Sequence, residues 1–489
     1  MKRIILLTLT IVALLSVHAQ TARQTTLPIA QPTAEDPVIM TINGQQILRS
    51  EFEYSYNKNN TEGVIDKKTI DEYLPLFVNY KLKVAAALDE KMDTATAFIN
   101  EFITYRDQQI RPSFINDSDV EAKAKEIYDK TKQQISEMGG LFNFAHIFFP
   151  TSQKLSSDEL QQIRTRADSI SEVIKKGKAT FEEMEQLFSQ DNVAHLKNGE
   201  LGWAPKGSFF PEFEEAAHAL KDGEISGVVT SPAGLHIIKR IGQREFFEYD
   251  SVKNDIMQFI NARNIRETII NDKLKAMAET ADNGTTPESI IDQQAYDMQQ
   301  KDPALRNLIR EYHDGLLLFD ISNREVWEKA NNDENALKQF FLKNRKNYTW
   351  NEPRYKGMIY HVKDKATEKA VKKCVKKLDF ELWKETLRSS FNNDSVIRIR
   401  VELGRFKPGD NKWIDQKVFN KTVKPEKNKD YPIENIFGKL LKAPENYHDV
   451  RTQLVADYQE FLEKQWVEQL RKRYQVVVNN DVLATVNNH

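Results

Sequence analysis

Three side chains of this 489-residue chain stand out by type and placement. His146 lies in the middle of "FNFAHIFF" and His236 in "GLHIIKR", two apolar runs that read as strands, while Asp191 lies in the polar "FSQDN". Alternate residues of a strand point to opposite faces, so neighbouring strands can put both imidazoles on one face. Between them, "NGELGWAPKGSFFPEFEEAAHAL" (198–220) gathers glycines, prolines and aromatics, and its Leu201, Phe209 and Phe213 offer an apolar surface. A polar cluster beside an aromatic hollow has the form of a small-ligand site. Blander readings stand beside this one: a strand histidine can be a hydrogen-bonded core residue, Phe209 and Phe213 at i and i+4 can be helix core, and Asp191 can serve a turn. A metal site from His146, Asp191, His195 and His236 would need spacings that match no ligand motif. Neither G-x-S-x-G, H-E-x-x-H nor a phosphate loop occurs.

The elements around these residues follow from local signals. After Gly139-Gly140 comes the apolar strand with His146. Ser156 with Glu159 forms a capping box for a helix whose Leu160, Ile163, Ile170 and Ile174 make one face, ending at Gly177. Thr180 with Glu183 opens a second, shorter helix with Phe181, Met184, Leu187 and Phe188 on its apolar side. The turn-rich stretch then leads to the strand with His236. The predicted order is strand, helix, helix, loop, helix, strand, strand: a small α+β domain over 138–245.

The whole chain is too long for one core. Residues 1–19 have Lys2 and Arg3, an apolar run from Ile4 to Val17 and small residues near Ala19, the pattern of a secretory signal peptide. That run is short for a membrane span, so no stable anchor is expected after cleavage. Residues 20–37 read as a flexible linker, and 38–137 as an α-rich region opened by a hairpin at Asn43-Gly44, with Ser50 capping the following helix. Residues 246–351 form a helical connector. From 352 to 445 a strand recurs, then a long helix to about Phe391, then "VELGRFKPGDNKWIDQKVFN" (401–420), which echoes "GELGWAPKGSFFPEFEEAAH" and predicts a degenerate second copy of the small domain. This second copy has no counterpart to "SPAGLHII", and whether His361 aligns with His146 is open; it reads as inactive and structural, or as a peptide-binding surface. Residues 446–489 give a last long helix and a strand-like tail. Lys+Arg number 70 and Asp+Glu 72, so no basic field argues for nucleic acid. The single cysteine, Cys374, excludes an intramolecular disulfide.

The pattern "AHIFF … FSQD … NGELGW … KG … PEFEEA … GEIS … GLHIIK" resembles the parvulin family of peptidyl-prolyl cis–trans isomerases over residues 141–242. The flanking helical regions make the whole similar to the SurA-type periplasmic chaperone–isomerases. The resemblance implies an α+β multidomain protein in which α-rich N- and C-terminal chaperone regions flank a parvulin-like domain with a small antiparallel sheet. It implies a catalytic set of His146, Asp191 and His236, Asp191 standing where the family has cysteine or aspartate. Leu201, Phe209 and Phe213 match the wall of the proline pocket, and Ser231 a hydroxyl near the second histidine. Asn198-Gly199 replaces a Gly-Gly, and Ala233 stands where some members carry a second hydroxyl. Only Lys154 is basic in the loop 150–159, which argues against a phosphate-binding member. The resemblance implies no cofactor and no metal, a periplasmic location, and unfolded or proline-containing polypeptides as partners, among them outer-membrane or secreted clients. The chemistry would be rotation about an X-Pro amide, whose resonance barrier is roughly 18–20 kcal/mol and which needs no bond broken. The alternative is a catalytically silent parvulin fold that only binds unfolded polypeptides.

Overall fold

A computed structural model describes residues 31–152, 154–281, 284–393 and 396–489. The expected signal peptide (1–19) and the linker as far as residue 30 lie outside the described residues. The chain divides into two compact units, one containing Ile103–Lys301 and the other Leu27–Phe102 with Asp302–His489. Among the described residues, ten strands form three antiparallel sheets, and helices make up most of the rest. The architecture is α+β.

The first sheet joins the two ends of the second unit. Strands β1 (Val38–Ile42) and β2 (Gln45–Leu48) meet through Asn43 and Gly44, whose φ of 51° and 79° suit the tight turn expected of Asn-Gly. The order β10-β1-β2 follows, because the tail strand β10 (Val476–Val478) pairs with β1, Thr41 opposite Val477. Ser50 is not the cap of the next helix, which runs Arg49–Lys58 with Leu48 at its cap. Asp36 is the acceptor instead, taking the Ser50 backbone N–H at 2.9 Å and its hydroxyl at 2.7 Å.

The second sheet has β3 (Leu141–Pro150), β4 (Glu200–Pro205), β5 (Ile225–Ser231) and β6 (Gly234–Arg244) in the order β4-β3-β6-β5. The helices Ser157–Lys175 and Phe181–Phe188 carry both expected capping boxes. They cover one face, packing on Ala145, Ile147, Phe149, Leu235 and Ile237. The helix Pro211–Ala219 covers the other, where Phe142, Phe144 and Ile238 meet Phe213, Ala217 and Leu220. The strict alternation of β3 between two buried faces is why His146 has a fixed side to point to. Three details depart from the sequence reading. "ELGWAP" is an edge strand rather than loop. Leu160 (40% exposed) sits in a helix's first turn and Leu187 (67% exposed) is off the apolar period, its inward place being taken by Glu185.

The third sheet, in order β8-β7-β9, has β7 (Arg354–Val362), β8 (Ile399–Phe406) and β9 (Ile433–Leu441). The long helix expected to reach Phe391 is two, Lys365–Val375 and Trp383–Phe391, broken at a turn where Trp383 Nε1 donates to the Leu378 carbonyl at 3.0 Å. Both pack on Met358, Tyr360 and Val362, while the short helix Lys412–Lys417 lies on the Tyr355–Ile359 side. Among the described residues no helix is long and apolar enough to cross a membrane.

Two cations of the third sheet converge on one fully buried carboxylate: Lys356 Nζ lies 2.6 Å and Arg405 Nε 2.8 Å from Asp449 Oδ1. Burial alone would raise the Asp449 pKa, but the hydrogen bonds from Lys356 and Arg405 hold it below the ordinary carboxylate value. Removing one partner of such a cluster leaves uncompensated buried charge. Asp449→Ala is therefore expected to destabilise the second unit by about 3–5 kcal/mol in urea unfolding. A cost near zero would mean that the cluster is solvated in solution.

Candidate active site

β3 and β6 are the two inner strands of their sheet, and their register brings the imidazoles together. His146 pairs with Ile238 and His236 with Phe148, so the two histidines sit two residues apart on adjacent strands, on the same face. Their Nδ1 atoms are 3.1 Å apart, and the residues are only 6% and 5% exposed. Asp191 comes from the loop after the helix Phe181–Phe188. Its Oδ1 accepts the N–H groups of Val193 and Ala194 at 2.9 and 3.0 Å, a local turn that aims Oδ2 at His146 Nε2, 3.1 Å away. At the other end, Ser231 Oγ lies 2.8 Å from His236 Nε2 and accepts the Ala233 N–H at 3.1 Å.

These contacts, taken with the burial of the rings, assign the protons in the row. Burial raises the Asp191 pKa, but the N–H groups of Ala194 and Val193 and the His146 hydrogen bond outweigh it and hold the group below its ordinary value. Asp191 is then a carboxylate and can only accept. His146 donates to it from Nε2, which leaves its Nδ1 bare if the ring is neutral. Neutrality is what burial favours: desolvation lowers the His146 pKa despite Asp191, and lowers that of His236 to about 4, with the His146 charge as a second cause. His236 must therefore donate from Nδ1 to His146, and its bare Nε2 accepts from the Ser231 hydroxyl. The result is one directed chain, Ser231 to His236 to His146 to Asp191, with no member unpaired. The His146–Asp191 contact is a hydrogen bond to a neutral ring rather than an ion pair. The missing hydroxyl at Ala233 leaves no gap, since its backbone N–H supplies the donor that Ser231 Oγ accepts.

The aromatic side is fixed by one buried carboxylate. Glu214, 8% exposed, accepts the N–H groups of Gly207 at 2.7 Å and Phe209 at 3.1 Å, tying the turn before the helix to the helix itself. That sets Phe209 against Phe213, centroids 5.1 Å apart, and Phe213 edge-on to His236 at 5.3 Å. Together with Leu201 they wall a cleft of about 450 Å³ whose floor holds His146, His236 and Asp191. Ser231 does not line this cleft; at 7% exposure it sits behind His236 as that ring's donor, not at a ligand surface. Two lining aromatics escaped the sequence reading. Phe148 stacks on both imidazoles, with centroids at 5.4 and 4.9 Å, and was legible as the same-face neighbour two residues after His146. Phe210, 47% exposed, stands at the cleft's edge in the position before the helix, which no local signal marks. His195 is drawn elsewhere, to the buried Glu185 carboxylate at 3.3 Å. Among the described residues no group of three His, Cys, Asp or Glu is placed to hold a metal. Asn198 and Gly199 both adopt positive φ, 53° and 81°, so asparagine serves where the resemblance implied glycine.

The depressed His236 pKa has a stability consequence. Its unfolded value, near 6.5, lies above its folded value of about 4, so the unfolded chain takes up the proton first as pH falls. The contribution is whole above pH 6.5 and is lost progressively down to about pH 4, and the lowered pKa values of His146 and His218 act in the same direction. As pH falls through that window, the protection factors of β6 amides, corrected for the intrinsic exchange rate, are expected to drop, with a shallower pH dependence in His236→Asn. A dependence unchanged by that substitution would refute the assignment of a neutral ring.

Residues 146–242 match the family model described as "Rotamase: PPIC-type PPIASE domain". Foldase protein PrsA 2 of Bacillus anthracis is 43% identical over 96 residues, 20% of this chain and 34% of that protein. Chaperone SurA of Bordetella parapertussis is 39% identical over 108 residues, 22% of this chain and 20% of that protein. The chain thus spans about a third of one and a fifth of the other of these two curated relatives. A solution structure of NmPin, the parvulin of Nitrosopumilus maritimus, matches at 32% identity over 21% of this chain and 97% of that one, with a TM-score of 0.17. Residues 146–242 are a PPIC-type PPIase domain of the parvulin kind, carried in a chain similar over that stretch to SurA and PrsA chaperones.

Proposed function

We propose that the chain is an exported peptidyl-prolyl cis–trans isomerase that also holds unfolded polypeptides, clients of the envelope or the secreted fraction. His146, Asp191 and His236 form its catalytic floor, and Leu201, Phe209 and Phe213 grip the prolyl ring. The observation that carries the reading is the juxtaposition of a neutral, fully hydrogen-bonded imidazole pair with a phenylalanine wall in one cleft. Rotation about X-Pro requires no nucleophile. It requires that the twisted amide, in which resonance is broken, be bound better than either planar form. The phenylalanines hold the ring while the carbonyl side turns. The row ending in Asp191 keeps the polar floor rigid, so its dipoles need no reorganisation during the turn. The seven-segment division made from sequence, with chaperone regions on either side of the isomerase domain and a degenerate copy at 352–445, belongs to the same proposal. So does export, supported by the charged, apolar and small-residue pattern of residues 1–19.

The test is a proline tetrapeptide in a protease-coupled assay with the full chain. Acceleration over buffer is expected, and its absence would overturn the enzymatic reading. Phe213→Ala should lower kcat/KM about 100-fold, a loss of about 2.7 kcal/mol of transition-state binding. Because Phe213 is a core residue, the same substitution should cost about 3–5 kcal/mol of stability. Phe209→Ala, at a half-buried position, separates the two effects: about tenfold in kcat/KM with little loss of stability. Suppression of aggregation of an unfolded membrane protein, measured in parallel, identifies a silent binder if holding is present and turnover is not. For export, the chain recovered from the envelope fraction should begin at Gln20.

A further inference from the structure

The third sheet repeats the parts of the second in the same order but stops one strand short. In both, an inner strand (β3, β7) is followed by two helices on one face, then an edge strand bearing Glu-Leu-Gly (β4, β8). A short helix on the other face comes next, then a second strand beside the inner one (β6, β9). Even the turn before the short helix is built alike: Gly207 donates its N–H to Glu214, and Gly409 donates its N–H to Asp415 at 2.9 Å. At the Glu-Leu-Gly segment, Ala145 pairs with Glu200 in one sheet and Ile359 with Glu402 in the other. On the second strand of each sheet, His236 faces Phe148, whereas Glu434 faces His361. β9 carries no histidine, so the imidazole pair has no counterpart in this sheet.

The second difference is at the edge. β5 covers the outer side of β6, with Val229 opposite His236 and Thr230 opposite Leu235. No strand among the described residues covers β9. The Ile436 N–H turns away from β7 to its neighbour's Asn435 Oδ1, so the even-numbered residues 434–440 present their backbone groups outward. Lys417 Nζ reaches the Glu434 carbonyl there at 3.2 Å. Beside the second half of β9 opens a hollow of about 680 Å³, where Phe437 of the strand and Phe380, Leu382 and Trp383 from the break between the two helices share the lining with charged groups such as Lys439 and Glu445. Leu382 is 55% exposed there and Leu440, on the strand, 50%.

We propose that the outer edge of β9 receives an extended segment of an unfolded polypeptide as a fourth, antiparallel strand, with one large apolar or aromatic side chain seated in the adjoining hollow. A bare edge is satisfied by main-chain pairing, and the sheet of the isomerase domain has a strand at this position. Pairing through the main chain is indifferent to client sequence, and the hollow adds a preference for one bulky residue. The proposal rests on the chaperone reading of the chain, and not on its isomerase activity.

The experiment uses the full chain and a capped, proline-free octapeptide of alternating threonine and phenylalanine. Hydrogen exchange resolved to single residues is expected to slow roughly tenfold at Ile436, Gly438 and Leu440, while the odd-numbered amides facing β7 change little. Two versions of the peptide N-methylated on alternate residues should differ, one binding and one not, because only every second amide faces β9. Leu382→Ser, at an exposed position, should weaken binding several-fold without unfolding the chain. Absence of protection, or equal binding by both methylated peptides, overturns the proposal. Protection that rises with protein concentration in the absence of peptide would assign the edge to a second copy of the chain and also overturn it. Aggregation suppression without protection at β9 would sink this inference alone, whereas loss of both would sink the chaperone reading with it.

Discussion

The directed row Ser231–His236–His146–Asp191 constrains everything built around it. With Asp191 ionised and both rings neutral, each ring nitrogen has one role. Reversing either tautomer would bring two N–H groups, or two bare nitrogens, face to face across 3.1 Å in a buried site. A buried polar group left unsatisfied costs about 1–3 kcal/mol, so the row has one arrangement of protons rather than several. That requirement reaches outward. The carboxylate must be aimed, which the Val193 and Ala194 amides do. The hydroxyl must have its own donor, which Ala233 supplies. The rings must be held level, which only two adjacent inner strands in one register can achieve.

The sheet can hold that register because both its faces are packed. On one side Ala145, Ile147 and Ile237 lie under two capped helices; on the other, Phe144 and Ile238 lie against Phe213 and Ala217. A slip of either strand by one residue would turn its faces over and send its imidazole into the aliphatic core. Glu214 provides the matching constraint on the aromatic wall. Its carboxylate binds the turn that carries Phe209 to the helix that carries Phe213, which sets the separation of the two rings.

How far all this was readable in the sequence depended on how local each signal was. The strands holding the two histidines, both capping boxes and the Asn43-Gly44 hairpin are written in neighbouring residues, and they lie where expected. The edge strand "ELGWAP" was hidden because its glycines and proline look like loop, and only pairing with β3 makes it a strand. β10 was legible as a strand in the apolar tail, but its pairing was not, since its partner lies more than 400 positions away in the chain. Phe148 was open to simple alternation from His146. The place of Ser231 was not, because a side chain that faces the cleft and one that faces the back of His236 look the same in a string of letters.

The neutrality of the two rings bears on what kind of chemistry the cleft suits. A general acid or base works best with a pKa near the working pH, and a histidine lowered to about 4 is a poor donor of protons at neutrality. The same desolvation that unfits His236 for proton transfer makes its fixed dipole more effective, since little water competes for it. A floor of oriented, uncharged donors and acceptors beside an apolar grip suits a reaction in which charge shifts within one amide and no proton moves. Rotation about X-Pro is such a reaction: as the amide twists, its nitrogen and oxygen lose their shared charge, and nothing is transferred to the protein. The burial that a proton-transfer enzyme would have to offset with a nearby charge is, for this chemistry, of direct use.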